Sequence, residues 1–151
     1  MFSPDLGSRN GVISVGYLAR GHAFPTGALS NNVFERLVEI VEHPFFVSCG
    51  YHVCNLGWCC SFLKQFRGQP SVRYQGRRLL VGSTDILVPG DGVVYEAPTL
   101  ILHYIRRHKY LPPSCFVEAV LTCPPAGSAE HRKAIRRIVP ALMPSAGNDG
   151  Q

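Results

Sequence analysis

The sequence has little charge and no long apolar segment. Charged residues make up 17% of the 151 residues and hydrophobic residues 46%, whereas disordered chains are rich in charge and poor in apolar side chains. No apolar run approaches the roughly 18 residues of a membrane-spanning helix. The opening segment MFSPDLGSRN lacks the apolar core of a signal peptide. These absences exclude an intrinsically disordered chain and predict a cytoplasmic protein, whose six cysteines are expected to be reduced thiols or metal ligands.

The sequence also lacks the short motifs that identify common enzyme classes. It contains no G-x-S-x-G, no P-loop and no G-x-G-x-x-G. The segment PGDG at 89–92 is typical of a hairpin turn, because no helix with a lysine follows it to cradle a phosphate. The sequence therefore names no reaction.

The length predicts one domain, which we place at 1–143 with a loose lead-in over 1–11 and a disordered tail over 144–151. The clearest element is an amphipathic helix over 31–42. Its apolar residues recur at the spacing of one helix face, and Ser30 is a suitable N-cap. The residues of that face are Phe34, Leu37, Val38 and Val41.

The remaining elements complete an α+β pattern. Short β-prone runs lie at 12–18 and 45–48, and runs separated by Gly-rich turns predict a β-meander over 72–96. Pro98 suits the first turn of a helix over 98–109. Ser114 and Ser128 are predicted caps of two further helices, the first with an apolar stripe of Phe116, Val117, Val120 and Leu121. We predict a single α+β domain in which a small antiparallel sheet is packed by the N-terminal helix and the C-terminal helices.

One segment is dense in soft metal ligands. Four cysteines and His52 lie within 49–60, and His52, Cys54 and Cys59 follow the spacing H-x-C-x4-C. Thiolates and imidazoles are the ligands that zinc prefers, so we predict a zinc site formed by these three residues and a distal His103, with His108 or Cys123 as other distal candidates. Two alternatives remain open: the thiols pack as small apolar groups, or a thiol such as Cys54 forms a reactive pair with His103.

The sequence assigns no catalytic residue with a recognisable signature. His103 and His108 are the candidates for a general base if the protein is a small hydrolase or transferase, with a metal-activated water as one version of that chemistry. We retain this enzyme class as an alternative to a binding module.

Basic residues suggest a partner-binding surface. Lys and Arg outnumber Asp and Glu by 15 to 10. Within and before the predicted meander, aromatic residues are interleaved with a basic set that includes Arg73, Arg77 and Arg78. Single-strand nucleic-acid binders combine charge with stacking rings in this way. An arginine on a strand is also common on an ordinary solvated face, so we predict a protein partner in preference to nucleic acid.

The segment PGDGVVYEAPTLILHYIRRHKYLPPSCFVEAVLTCP at 89–124 resembles the core of a widespread bacterial family of uncharacterised proteins. GYLARGHAFPTG, FERLVE and GYHVC resemble the same family. The resemblance implies a stand-alone α+β domain without an established activity. The residues that match the family's pattern are His52, Cys54, Asp91, Tyr95, His103, Tyr104, His108 and Tyr110.

The middle motif departs from that family pattern. Family members continue it as H-x-C-x-x-C, but Gly57 stands at the second cysteine position, and Cys59 and Cys60 follow two and three residues later. Taken together, these features predict a small cytoplasmic bacterial interaction or accessory module of the immunity type, stabilised by one zinc ion. A small hydrolase or transferase and a nucleic-acid binder are the alternatives.

Overall fold

The computed structural model describes residues 7–47, 53–56 and 69–143. Within these ranges the chain forms seven strands and four α-helices. The strands are β1 (Gly7–Arg9), β2 (Val12–Ser14), β3 (Phe46–Val47), β4 (Ser71–Tyr74), β5 (Arg77–Leu80), β6 (Thr84–Pro89) and β7 (Val94–Pro98). The helices are α1 (Asn31–Val41), α2 (Ile101–His108), α3 (Ser114–Thr122) and α4 (Ala129–Ile138), and α4 is followed by a 3₁₀ turn at Pro140–Leu142. The predicted α+β class is confirmed.

Five strands form one mixed sheet in the order β1-β2-β7-β6-β3. β2 and β7 run parallel, whereas the other pairings are antiparallel. The pairing of β1 with β2 begins at Gly7, within the segment expected to be a loose lead-in. The predicted tail over 144–151 lies outside the described residues.

The predicted meander over 72–96 is wrong in one respect. β4 and β5 form a separate two-stranded hairpin, and β6 pairs with β7 and β3 instead of with β5. Gln75 and Gly76 connect β4 to β5 with φ of 49° and 76°, as a tight two-residue turn requires. Strand propensity locates strands along a sequence but does not choose their partners, so the break between the two sheets was missed.

The predicted helix over 31–42 is confirmed as α1. Its whole apolar face is buried, and Leu37 and Val38 are each only 1% exposed. Ser30 occupies the N-cap position, but its hydroxyl contacts the side chain of Asn32 instead of capping the backbone. Ser128 does cap α4, because its Oγ accepts a hydrogen bond from the backbone N–H of His131.

Two predictions for the C-terminal helices need correction. Pro98 does not begin a helix: it is the last residue of β7 and pairs with Asp85 of β6. In α3 the buried stripe contains Phe116, Ala119 and Val120, whereas Leu121 is 45% exposed. The helix begins at Ser114 with Pro113 as its N-cap residue, so the buried face is rotated relative to the predicted one.

Helices cover both faces of the sheet. Ile86 and Val88 of β6 belong to the main core, which also contains the buried faces of α1, α2 and α3. Leu87 points to the opposite face and packs with Val94 and with Ile135 of α4. This alternation follows from the two-residue period of a strand. The sheet is therefore the middle layer of the domain, with α4 on the side opposite to α1 and α3.

A buried threonine fixes the connection from the sheet to α2. Thr99 is fully buried. Its Oγ1 donates to the carbonyl of Thr84 and accepts a hydrogen bond from the N–H of Gly82, each at 3.0 Å. These bonds hold the start of α2 against the beginning of β6, and so they set the position of the histidines that α2 carries.

Candidate metal centre

Three potential metal ligands converge between α2 and the segment 53–56. One ligand atom from each of Cys54, His103 and His108 lies within 4.8 Å of the other two. Cys54 Sγ and His108 Nε2 are 3.2 Å apart. Cys54 is buried and the two histidines are half-buried, so the group lies at the boundary between core and solvent.

The end of α2 brings its two histidines together. His108 is the last residue of the helix, and Lys109 follows in the left-handed conformation with φ of 57°. The N–H of Tyr110 then donates to the carbonyl of Tyr104 at 3.1 Å, which closes the helix end as in common C-terminal capping motifs. The ring centroids of His103 and His108 are 5.3 Å apart. The helix end therefore holds His108 over the same side of the helix as His103.

The chain after α2 is also anchored. The N–H of Gly27 donates to the carbonyl of Lys109 at 2.9 Å, and the N–H of Leu111 donates to the carbonyl of Pro25 at 3.0 Å. Tyr110 is fully buried and its ring packs edge-on against Phe24. The loop before α1 thus supports the end of α2, although no local sequence pattern connects the two segments.

One backbone hydrogen-bond donor points at the sulfur of Cys54. The backbone N–H of Leu56 points at Cys54 Sγ at 3.4 Å. A backbone N–H that donates to sulfur stabilises negative charge on it. The thiolate is the form of cysteine that binds metals, and the N–H of Leu56 faces the sulfur that would carry this charge.

The environment of His108 favours the neutral imidazole. Burial lowers the pKa of His108, and the positive charge of Arg107 acts in the same direction. A neutral imidazole is the form that ligates a metal. A buried thiol beside a neutral imidazole is also the arrangement of a reactive thiol–imidazole pair. The geometry by itself is therefore compatible with metal binding and with a reactive thiol.

Two members of the predicted ligand set, Cys54 and His103, lie together in this group. His108, predicted as an alternative distal ligand and as a catalytic candidate, lies with them. His52 and Cys59 lie outside the described residues. Cys123 is buried in the main core, and burial raises the pKa of its thiol to about 11, which disfavours the thiolate that a metal needs.

The three arginines predicted to bind a partner do not share one face. Arg73 and Arg78 are opposite each other on the β4–β5 hairpin, and both are exposed. Arg77 pairs with Tyr74 one position further along, so it points to the other face of the hairpin, where it forms an ion pair with Glu42. Arg78 donates to the hydroxyl of Ser71 at 3.1 Å. Only Arg73 and Arg78 therefore contribute to a common outward surface.

Two of the residues that match the family pattern lie away from the metal-ligand group. Asp91 and Tyr95 border a cleft between the β6–β7 turn, α3 and α4. The cleft is not predictable from the sequence, since its walls come from three segments that no short motif joins. His131 also has no role that the sequence predicts, because it lies in the first turn of a helix whose pattern is typical of an amphipathic, solvated segment. In the structure His131 is fully buried.

The fold and these contacts define a single α+β domain with a Cys/His group suited to a metal ion. No helix within the described ranges is both long and apolar enough to cross a membrane. The family described as Domain of unknown function (DUF7919) matches residues 3–121, and the chain belongs to this family. The match includes the segments that carry Cys54, His103 and His108. Neither a curated protein nor a solved structure is detectably similar to the chain.

Proposed function

We propose that this domain is a small bacterial cytoplasmic interaction or accessory module, of the immunity type, whose fold is stabilised by one zinc ion held by Cys54, His103 and His108. The observation that supports the proposal is the convergence of one sulfur and two imidazole nitrogens within 4.8 Å of one another. These ligands come from segments about 50 residues apart in the sequence. A metal ion here would therefore connect the segment around Cys54 to α2.

The separation of Cys54 Sγ and His108 Nε2 supports a zinc site. Zinc lies about 2.3 Å from sulfur and about 2.0 Å from nitrogen in a tetrahedral site, so two such ligands are separated by about 3.5 Å. The 3.2 Å between Cys54 Sγ and His108 Nε2 is close to this separation. The set of one thiolate and two imidazoles also favours zinc or copper over calcium and magnesium, which prefer oxygen ligands.

A fourth ligand would distinguish a structural site from a catalytic one. Structural zinc sites are closed by four protein ligands, whereas catalytic sites keep one position open. His52 and Cys59 flank Cys54 in the sequence and are our proposed sources of the fourth ligand. The second candidate function is a small hydrolase in which an open position activates water; the partial exposure of His103 and His108 favours this alternative.

We further propose that the partner of the module is a protein and not a nucleic acid. Arg77 is already paired with Glu42, which leaves Arg73 and Arg78 as the only two of the predicted set on one outward face of the hairpin. Nucleic-acid binding relies on many cations that neutralise phosphates together. Within the part of the chain that the structure describes, Cys54, Cys115 and Cys123 form no disulfide, which suits a reducing compartment.

Metal content and thiol accessibility test the zinc proposal. Protein purified without a histidine tag is expected to contain about one zinc ion per chain by elemental analysis. A strong chelator should lower the thermal midpoint and increase the number of fast-reacting thiols, because the coordination free energy is lost. Cys54→Ser should reproduce both effects, while Cys115→Ser is the matched control, since Cys115 is exposed and outside the ligand group. Metal-free protein that is insensitive to the chelator would refute the proposal.

Cobalt substitution then distinguishes the two functions. Co²⁺ replaces zinc in such sites, and its visible spectrum reports the coordination number and the number of bound thiolates. For the structural role we expect a four-coordinate spectrum that added azide does not change and that Cys59→Ser or His52→Gln alters. A spectrum that shifts on addition of azide in the unmutated protein would identify an open position and favour the hydrolase.

A further inference from the structure

A cleft of about 730 Å³ lies where the β6–β7 turn meets α3 and α4. Its volume is in the range of small-molecule sites. The cleft is independent of the metal-ligand group, since Cys54, His103 and His108 are not among the residues that line it. It therefore requires its own explanation.

The base of the cleft carries two polar groups on an apolar surface. Tyr95 is 6% exposed, and Cys115 on α3 lines the cleft beside it. Burial, followed by the neighbouring Cys115 thiol, raises the pKa of Tyr95 to about 12, so the phenol keeps its proton. Gly90 leaves room for the ring, because a Cβ at this position would lie 2.6 Å from Tyr95 Cε2.

The walls of the cleft carry opposite charges. Asp91 from the β6–β7 turn and Glu118 from α3 line the cleft, and both act on the hydroxyl of Tyr95, which places them near the base. Arg137 lines it from α4. Among the described residues none of these three forms an ion pair at 4.0 Å or less. The opposite charges thus face one space without neutralising each other.

We propose that this cleft binds a short zwitterionic peptide with an apolar side chain. The ammonium group would lie against Asp91 and Glu118, and the carboxylate against Arg137, whose planar guanidinium can bind a carboxylate through two parallel hydrogen bonds. Apolar atoms of Ala119 and Ile138 would contact the side chain. An extended dipeptide spans about 7 Å, which is longer than the 4.0 Å within which the charged groups would form an ion pair.

Isotope-edited NMR titration with L-leucyl-L-leucine tests this proposal. We expect the dipeptide to shift the amide resonances of Gly90, Gly92 and Ala119. Removing one charge should weaken binding about tenfold, because one charge-assisted contact is lost. The matched probes are N-acetyl-leucyl-leucine, which lacks the ammonium group, and leucyl-leucine amide, which lacks the carboxylate.

Variants of the protein provide the complementary test. Arg137→Gln should weaken the dipeptide about tenfold and remove its advantage over the amide, whereas Glu118→Gln should reduce its advantage over the N-acetyl form, since Asp91 remains. Arg132→Gln is the control, since Arg132 is an exposed cation on the same helix that does not line the cleft. Thermal unfolding verifies that each variant is folded.

Three results would overturn the proposal: no shifts in the cleft at millimolar dipeptide, equal binding of the blocked peptides, or unchanged affinity in Arg137→Gln. None of them bears on the zinc proposal, since these experiments do not involve the metal ligands. A positive result would identify a ligand class for the domain even if its Cys/His group holds no metal.

Discussion

The buried histidine of α4 gives the sharpest prediction about stability. His131 is fully buried, and both of its ring nitrogens are engaged. Nε2 lies 2.8 Å from the carbonyl oxygen of Leu87, and Nδ1 accepts the N–H of Gly127 at 3.1 Å. A carbonyl can only accept, so Nε2 carries the proton and the ring is neutral. The ring also packs edge-on against Phe45, with centroids 5.0 Å apart.

His131→Phe keeps the packing of the ring and removes both hydrogen bonds. The Leu87 carbonyl and the partly buried Gly127 N–H lose their partner, and each such loss costs about 1–3 kcal/mol, so we expect a loss of about 2–6 kcal/mol of unfolding free energy at pH 8. Chemical denaturation measures this loss. Lys133→Gln is the matched control, because Lys133 is exposed on the same helix, and its effect should stay within about 0.5 kcal/mol.

The difference in unfolding free energy between the wild type and His131→Phe should depend on pH in a defined direction. Burial lowers the pKa of His131, and Arg132 and Arg36 act in the same sense, although the bond to Leu87 opposes them. The unfolded state therefore takes up the proton first, near pH 6.5. The stabilising contribution of His131 is fully present above that pH and is lost as the pH falls toward the folded-state pKa, by at most about 1.4 kcal/mol per pH unit.

Denaturation curves of both proteins between pH 8 and pH 5 provide the test. The disadvantage of His131→Phe should shrink as the pH falls below about 6.5, because only the wild type loses the contribution of a neutral histidine. A disadvantage that stays constant or grows with acidity would refute the assigned protonation state. An effect below about 0.5 kcal/mol at pH 8 would refute the importance of the two hydrogen bonds.

Two further predictions concern the core and the backbone. Leu37→Ala, at a position 1% exposed on the buried face of α1, should destabilise the domain by about 2–5 kcal/mol, and an unchanged denaturation midpoint would contradict the packing of this helix. Gly16 has a φ of 79°, and a Cβ added there would lie 2.9 Å from Ile101 Cδ1. We therefore expect Gly16→Ala to lower the unfolding free energy by about 2–4 kcal/mol, visible as a lower thermal midpoint. Gly21→Ala, with a similar φ but open space around it, should cost less.

The features that were predictable from the sequence are those decided by neighbouring residues. The apolar spacing of Phe34, Leu37 and Val41 determines the buried face of α1, since a helix repeats every 3.6 residues. The cap at Ser128 is equally local. The prediction for Pro98 was wrong because a proline fits both the first turn of a helix and the end of a strand, and its pairing with Asp85 is a tertiary contact.

The candidate sites depended on contacts that the sequence does not display. Cys54 and His103 were proposed from ligand chemistry, but the choice of His108 as a partner follows from the left-handed turn at Lys109 and from the packing of α2. The cleft around Tyr95 is assembled from a turn and two helices on opposite faces of the sheet. Such arrangements arise from the fold as a whole, and no spacing rule encodes them.

The parallel pairing of β2 with β7 has a consequence for the order in which the sheet forms. Val12 pairs with Val94, so this contact closes a loop of about 80 residues, whereas the β6–β7 hairpin closes a loop of four. Loop-closure entropy grows with the logarithm of loop length, and the difference amounts to about 2.5–3 kcal/mol. We therefore expect the β6–β7 hairpin to form first as a template, and the N-terminal strands to dock onto it after most of the chain has been synthesised.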